Sequence, residues 1–173
     1  MIPSVTQILS PWSDFSGIRP EVLEKASVRG TRIHLACSNY ASGFMIPSFT
    51  EGDEPYFQSF QRWFDSTVEK VISVEMEYRC PVYQFQGHPD LVCVIKGDTT
   101  KISVVDLKTP RSISPSWRLQ LAAYAHLTGA DRCFSLRLSP EGKQAIADEN
   151  TDWKRDLNIF LNALSVWRFY HEK

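Results

Sequence analysis

The strongest constraint on the fold is a change of hydrophobic pattern near residue 71, where helical spacing gives way to short β-rich segments. Four of these segments are predicted to be strands, namely residues 71–79, 82–86, 91–96 and 102–107. Proline and glycine separate them at Pro81, at Gly87 and at the Gly97-Asp98 turn. The middle of the chain is therefore predicted to form a meander of strands.

Amphipathic helices are predicted on both sides of these strands. They cover residues 4–9, 21–40 and 54–71 before the strands, and residues 117–127 and 152–170 after them. A further strand is predicted at 133–138, and the polar segment 139–150 is expected to form turns. Helices that flank a run of strands favour an α/β (α+β) fold with a central mixed β-sheet covered by helices. At 173 residues the chain is expected to be a single domain, residues 1–173.

Composition narrows the class of protein. Hydrophobic residues at 43% suit an ordinary globular core, and the sequence has neither an apolar run long enough for a membrane span nor a basic and apolar leader. We therefore expect a cytoplasmic protein with no membrane partner. The cysteines, Cys37, Cys80, Cys93 and Cys133, are scattered without a C-x-x-C pair, so they are expected to be reduced and mostly buried.

Two charged residues stand in the last predicted strand of the central run. Asp106 and Lys108 are two residues apart, so in a strand their side chains leave the same face while Leu107 points into the core. A surface pair would explain this spacing, but the β-branched neighbours indicate a largely buried strand, where unpaired charges are costly. Asp90 ends a preceding segment and can bring a second carboxylate to Asp106, but an aspartate after Pro89 is also typical of a turn. Paired carboxylates supply the oxygen ligands that hard divalent cations prefer.

Two helical spacings accompany these charges. Gly30 and His34 are four apart in the helix predicted at 21–40, and Gln120 and Tyr124 are four apart in the helix at 117–127. Residues with this spacing share one helical face. His34 is open to interpretation as a core histidine and the Gln-Tyr pair as incidental to an amphipathic helix. Gly30 is expected to allow close approach by another element.

The order of these elements resembles the PD-(D/E)XK nuclease superfamily and, within it, the RecB-like exonuclease branch. That branch adds an upstream G-x-x-x-H helix and a downstream Q-x-x-x-Y helix, and both spacings are present here. The resemblance extends from Gly30 to about Leu138. It implies a restriction-endonuclease-like core and a metal-dependent DNA exonuclease of a bacterial or phage-infected cell. Such an enzyme acts on DNA ends or single strands in replication, recombination, repair or phage DNA processing.

The resemblance also implies a set of site residues. Mg²⁺ or Mn²⁺ would be held by His34, Asp90, Asp106 and the backbone carbonyl of Leu107, with Glu75 as a further metal or metal-water ligand. Glu77 competes with Glu75, because both face the same side of a continuous strand and periodicity cannot choose between them. No iron–sulfur cluster is expected, because the cysteine pattern of cluster-bearing members is missing.

The remaining implied roles concern catalysis and the nucleic acid. The catalytic set is Asp90, Asp106, Lys108, Glu75, Gln120 and Tyr124; in it Lys108 orients water or steadies charge, and the Gln-Tyr pair orients the lysine and reaches toward the backbone. The residues expected to bind nucleic acid are Arg32, Arg111, Trp117, Arg118, Gln120 and Tyr124, with the tryptophan stacking on an unpaired base. His88 and His126 match no metal position.

Two other functions stay open at the level of sequence. The same fold serves as a non-catalytic nucleic-acid- or protein-binding module, and it also serves as a site- or structure-specific endonuclease. A net charge of −1 is a mild argument against binding nucleic acid. The chain has no G-x-x-x-x-G-K-[ST] motif, so a helicase, single-strand-binding or recombination protein is an expected partner.

Overall fold

A computed structural model describes residues 2–12, 17, 19–50, 52–109 and 113–171. Its helices are α1 Val5–Leu9, α2 Pro20–Ala41, α3 Glu54–Thr67, α4 Ser116–Thr128 and α5 Trp153–His171. Its strands are β1 Val68–Val74, β2 Tyr78–Cys80, β3 Phe85–Gly87, β4 Leu91–Ile95, β5 Asp98–Lys108, β6 Arg132–Arg137 and β7 Ile146–Glu149. None of the helices in the described ranges has both the length and the apolar character needed to cross a membrane.

A five-stranded mixed sheet forms the centre of the molecule. Its strand order is β1-β4-β5-β6-β7. All neighbouring pairs are antiparallel except β5 and β6, which run parallel and are joined through α4. A parallel pair needs such a crossover, because a short hairpin cannot reverse the chain direction twice. β5 is therefore the central strand, and residues at its carboxyl end lie between the helices of both layers.

Alternation along β5 places successive side chains in two separate cores. Val104 packs into the core that contains α1, α4 and α5, whereas Val105 and Leu107 pack into the core that contains α2 and α3. Leu107 is only 3% exposed, which confirms the prediction that it points into the core. Helices thus cover both faces of the sheet, and the predicted mixed α/β architecture is confirmed.

Four predictions of local structure were wrong. The strand predicted at 82–86 is a turn as far as Gln84, and only Phe85–Gly87 forms β3. The helix predicted at 54–71 ends at Thr67, because the chain continues as β1 from Val68. The strand predicted at 71–79 breaks at Glu75, whose φ is +50°, so the meander is interrupted by β2 and β3, which form a separate two-stranded sheet. The segment 139–150 contains an edge strand, β7, instead of turns alone.

The cysteines behave as the sequence predicts. All four are buried and free of disulfide bonds. Burial raises the pKa of Cys93 and of Cys133 to about 12, so both thiols stay protonated at neutral pH. These side chains therefore act as small apolar groups of the two cores.

Candidate functional site

Asp90 connects three elements at one end of the sheet. It immediately precedes β4 and is 8% exposed. Its Oδ2 accepts a 2.6 Å hydrogen bond from the backbone N–H of Leu107 in β5, and its Oδ1 lies 3.2 Å from Nδ1 of His34 in α2. The fixed carboxylate therefore holds a half-buried imidazole against the end of the sheet.

Glu75 is brought to the same place by a bend of the backbone. β1 pairs with β4 so that Val74 faces Leu91, and the left-handed conformation of Glu75 ends the strand at that point. The backbone N–H of Glu75 then donates to the carbonyl of Asp90 at 3.2 Å. Potential ligand atoms of His34, Glu75 and Asp90 consequently lie within 4.8 Å of one another.

Glu77, the alternative to Glu75, has different neighbours. Its carboxylate accepts a 2.7 Å hydrogen bond from Nε of Arg79 and lies 3.3 Å from Nε2 of His88. The break at Glu75 separates the two glutamates, which would share a face in a continuous strand. The structure places Glu75, and not Glu77, with His34 and Asp90.

Electrostatics in this three-residue cluster favour a bound cation or proton. Burial lowers the pKa of His34, but the carboxylates of Asp90 and Asp106 raise it by more, so the pKa lies above its ordinary value. Burial and the nearby Asp90 raise the pKa of Glu75 against smaller opposing effects, chiefly that of His34. Positive charge between these groups would relieve their mutual repulsion.

Asp106 lies beside this cluster and forms an ion pair with Lys108. It is 3% exposed, and Nζ of Lys108 approaches its Oδ2 at 2.6 Å. Burial raises the pKa of Asp106, Lys108 partly opposes that rise, and the result lies above the ordinary value. The three residues that converge within 4.8 Å do not include Asp106. The four side chains of the expected metal set are thus divided between the cluster and an ion pair.

A line of hydrogen bonds positions the lysine of that pair. Lys108 donates to Oε1 of Gln120 at 2.8 Å, and Nε2 of Gln120 donates to the hydroxyl of Tyr124 at 3.2 Å. Burial raises the pKa of Tyr124, which keeps that hydroxyl protonated. One face of α4 therefore fixes the direction of the Lys108 ammonium group.

The ring of Tyr124 packs closely against the backbone of Gly87. A Cβ atom on Gly87, at the end of β3, would lie 2.7 Å from Cε1 of Tyr124. No larger residue fits there without moving the ring. At Gly30 the nearest atom would be Oγ1 of Thr109 at 3.6 Å, an ordinary contact, so the close approach expected at Gly30 occurs at Gly87 instead.

The residues expected to bind nucleic acid are spread around the site. Nζ of Lys108 lies 5.4 Å from the centre of the Trp117 ring. Arg32 pairs with Asp53 at 2.7 Å and Arg118 pairs with Asp156 at 2.9 Å, and both guanidinium groups remain about half exposed. Arg111 lies outside the described residues.

A groove of about 520 Å³ opens beside the three-residue cluster along α2. Gly30, Leu35 and Ser38 line it together with the cluster. Ser38, which the sequence analysis missed, donates from Oγ to Glu75 at 3.3 Å. Its position one turn after His34 was the available signal, because residues four apart share a helical face. The groove gives a ligand access to the cluster.

The donor set fits a divalent cation. One imidazole nitrogen and two carboxylates are ligands of Mg²⁺ or Mn²⁺, and the imidazole suits Mn²⁺ better. The backbone N–H of Leu107 orients one of the carboxylates, as an outer hydrogen bond does in protein metal sites. His34, Glu75 and Asp90 can therefore hold such an ion, with Asp106 at its edge.

No protein-family model and no curated protein matches this chain. Among solved structures, the alkaline exonuclease LHK-Exo from Laribacter hongkongensis aligns at 14% identity and a TM-score of 0.46, over 98% of this chain and 90% of that one. LHK-Exo in complex with dAMP aligns at 17% identity and a TM-score of 0.46, over 98% and 91%. The protein SSO0001 aligns at 20% identity and a TM-score of 0.38, over 54% of this chain and 50% of that one. This chain thus spans half the length of SSO0001, and all three are distant similarities.

Proposed function

We propose that this protein is a metal-dependent nuclease that hydrolyses phosphodiester bonds in DNA. One observation carries the proposal: His34, Glu75 and Asp90 converge within 4.8 Å beside the buried ion pair of Asp106 and Lys108. A cation site next to a fixed ammonium group suits a substrate that gains negative charge during reaction. Phosphodiester hydrolysis has this property.

His34, Glu75 and Asp90 would hold Mg²⁺ or Mn²⁺, with Asp106 and the carbonyl of Leu107 completing the set. A bound ion of this kind supplies positive charge to the phosphate and lowers the pKa of water. Asp90 is oriented by the hydrogen bond that its Oδ2 accepts from the N–H of Leu107. The role of these side chains is therefore to fix the cation against the end of β5.

Lys108 acts on the substrate. Its ammonium group, directed by Gln120 and paired with Asp106, would orient the attacking water or steady charge on the phosphate oxygens. The water oxygen forms a bond to phosphorus, and the P–O3′ bond breaks. The water loses a proton, the departing oxygen gains one, and the products are a 5′-phosphate and a 3′-hydroxyl.

We further propose an exonuclease that acts on DNA ends or single strands, working with a helicase, single-strand-binding or recombination protein. The resemblance of the ordered motifs to RecB-like exonucleases supports this choice. The groove along α2 is open at the described residues, and it offers the cluster to a strand that approaches from outside.

The test is a cleavage assay on end-labelled linear and circular DNA, each single- and double-stranded, with Mg²⁺, Mn²⁺ or a chelator. Lys108→Ala is the diagnostic variant. Lys101→Ala is its matched control, because Lys101 is an exposed lysine of the same strand that pairs with Asp98. We expect the wild type and Lys101→Ala to degrade linear DNA when metal is present, and Lys108→Ala to leave it intact.

Other results would redirect the proposal. Discrete bands from circular DNA would indicate a site-specific endonuclease. Intact DNA with either metal would favour a non-catalytic binding module. Equal cleavage by the wild type and by Lys108→Ala would overturn the site assignment itself.

A further inference from the structure

A second cavity lies beside Trp117, between the start of α4, strand β6 and the segment that joins β7 to α5. Its volume is about 310 Å³, and Ile113, Leu121, Ser135 and Asp152 are among its lining residues. We propose that this cavity binds one unpaired nucleobase of the strand whose phosphate reaches Lys108. The inference rests on the proposed nuclease function, and it specifies the substrate as a strand with a base turned out.

Two observations place the cavity next to the ion pair of Asp106 and Lys108. The Trp117 ring, which lines the cavity, lies 5.4 Å from Nζ of Lys108. Ser135, which also lines it, is the register partner of Asp106 in the parallel pair of β5 and β6. Paired residues of neighbouring strands project from the same face of the sheet. A base in the cavity would therefore have its own phosphate or an adjacent one near Lys108.

Size restricts the occupant. Pockets for small molecules and cofactors hold roughly 300 to 1,000 Å³, so this cavity is at the lower end of that range. Such a volume accommodates a single base or nucleoside and excludes a base pair with its backbone. The strand must consequently be unpaired at this position.

The walls suit a planar, partly apolar ring. Trp117 supplies an aromatic surface, and Ile113 and Leu121 supply apolar ones. Stacking on an aromatic side chain tolerates any base, because every base has a π-face. The hydroxyl of Ser135 adds a hydrogen-bonding group that can donate or accept.

Charge at the rim directs the base inward and the phosphate outward. Asp148 and Glu149 line the cavity but each is paired with an arginine of β6, whereas Asp152 presents an exposed carboxylate at the same edge. A carboxylate repels phosphate and accepts hydrogen bonds from an exocyclic amino group such as that of cytosine. Thymine lacks that group, so cytosine should bind more tightly than thymine.

Binding in a chelator separates this inference from catalysis. Fluorescence polarisation would measure the affinity of labelled oligo(dC), oligo(dT) and a blunt-ended duplex, each about 12 nucleotides long, a length within the span that single-strand-binding folds cover. The variants are Trp117→Ala, Trp117→Phe and Ile113→Ala. Ile113 is 66% exposed, so its truncation alters the cavity at little risk to folding. Trp12→Ala is the matched control, because Trp12 is an exposed tryptophan outside the cavity.

We expect Trp117→Ala to weaken oligo(dC) binding about 10-fold, and Trp117→Phe and Ile113→Ala by smaller factors. Binding of the duplex should be unchanged in these variants, and Trp12→Ala should bind every probe as the wild type does. Asp152→Asn should reduce the preference for oligo(dC) over oligo(dT). Equal affinity of the wild type, Trp117→Ala and Ile113→Ala for single strands would overturn the inference, as would an equal loss of affinity for the duplex.

The outcome is independent of cleavage. If the wild type cleaves DNA with metal but the cavity variants bind single strands normally, the base pocket is wrong and the nuclease proposal stands. If the cavity variants lose single-strand binding but the wild type leaves DNA intact with either metal, the base pocket stands and the nuclease proposal is wrong.

Discussion

At the scale of single residues, His34 provides the sharpest test of the metal centre. His34→Ala removes the one nitrogen ligand of the cluster but leaves both carboxylates, so the affinity for Mn²⁺ should fall at least about 10-fold and that for Mg²⁺ by less. The measurement is thermal melting during titration with each metal. His88→Ala is the control, because His88 faces Glu77. Equal metal affinity in His34→Ala and the wild type would exclude the histidine as a ligand.

The raised pKa values at the site predict how pH changes its stability. His34, Glu75 and Asp106 have pKa values above their ordinary ones, so their protonated forms stabilise the metal-free fold at low pH. That stability is lost as pH rises through the raised values. Metal requires the deprotonated ligands, so the increase in Tm caused by Mn²⁺ should be larger at pH 8 than at pH 6. A metal-induced increase that is the same at both pH values would contradict this linkage.

Sequence periodicity predicted part of the site at this scale. A two-residue spacing placed Asp106 and Lys108 on one face, and a four-residue spacing placed Gln120 and Tyr124 on another, and the structure joins these groups by an ion pair and hydrogen bonds. The choice between Glu75 and Glu77 lay beyond periodicity. It depends on a left-handed backbone conformation at a non-glycine residue, which no local spacing reveals.

At the scale of secondary structure, long amphipathic patterns were predicted well and short exposed strands were not. The helix predicted at 21–40 is Pro20–Ala41, and that predicted at 117–127 is Ser116–Thr128. β7 was missed because every residue of Ile146–Glu149 is exposed, so the strand has no alternating pattern and exists only by pairing with β6. Tertiary pairing, rather than propensity, decides such an edge.

Two glycine substitutions compare the packing of these elements. In Gly87→Ala the new methyl group meets the Tyr124 ring at 2.7 Å, so stability should fall by about 1 to 3 kcal/mol. Displacement of the Tyr124 ring should also disturb Gln120 and Lys108, so nuclease activity should fall as well. Gly30→Ala is the matched variant. Its new methyl group would lie 3.6 Å from Oγ1 of Thr109, and the residue is in a helix, so the free energy of unfolding should rise by roughly 0.5 to 1 kcal/mol. Chemical denaturation and cleavage rates would test both.

Opposite results would change the interpretation of these contacts. If Gly87→Ala is as stable and active as the wild type, the hydrogen-bonded line from Tyr124 to Lys108 does not depend on the close approach. If Gly30→Ala is more stable but inactive, its glycine serves the substrate in the groove and not the packing of α2.

At the scale of the whole molecule, the two cores explain why chemistry gathers at one end of β5. Val104 belongs to one core and Val105 to the other, so the central strand is covered on both faces from Ser103 to Leu107. Beyond the end of the pairing between β1 and β4, helices α2 and α4 bring polar side chains together at the carboxyl end of β5. Asp90 and Lys108 belong to that end. The order and direction of the strands and helices thus determine where the charges meet. The sequence pattern indicated this topology only as a fold class.

The overall charge predicts how salt affects DNA binding. The chain has 19 basic and 20 acidic side chains, and Arg32, Arg118, Arg132 and Arg137 are all paired with carboxylates. Among the described residues, a strand at the site would therefore meet few unpaired cations, and about three phosphate contacts give a slope of about −2 for log affinity against log salt on single-stranded DNA. Affinity for oligo(dC) in a chelator should then fall only about 15-fold between roughly 50 and 200 mM salt.

Charge variants show whether that shallow slope reports contacts at the site. Arg118→Gln should flatten it by about 0.7, because one phosphate contact is lost. Arg79→Gln, at an exposed arginine that pairs with Glu77, should leave it unchanged. A wild-type slope steeper than about −5 would require a long phosphate track that these ion pairs do not provide. A slope near zero would mean that phosphates contribute little, and the nuclease proposal would lose its electrostatic basis.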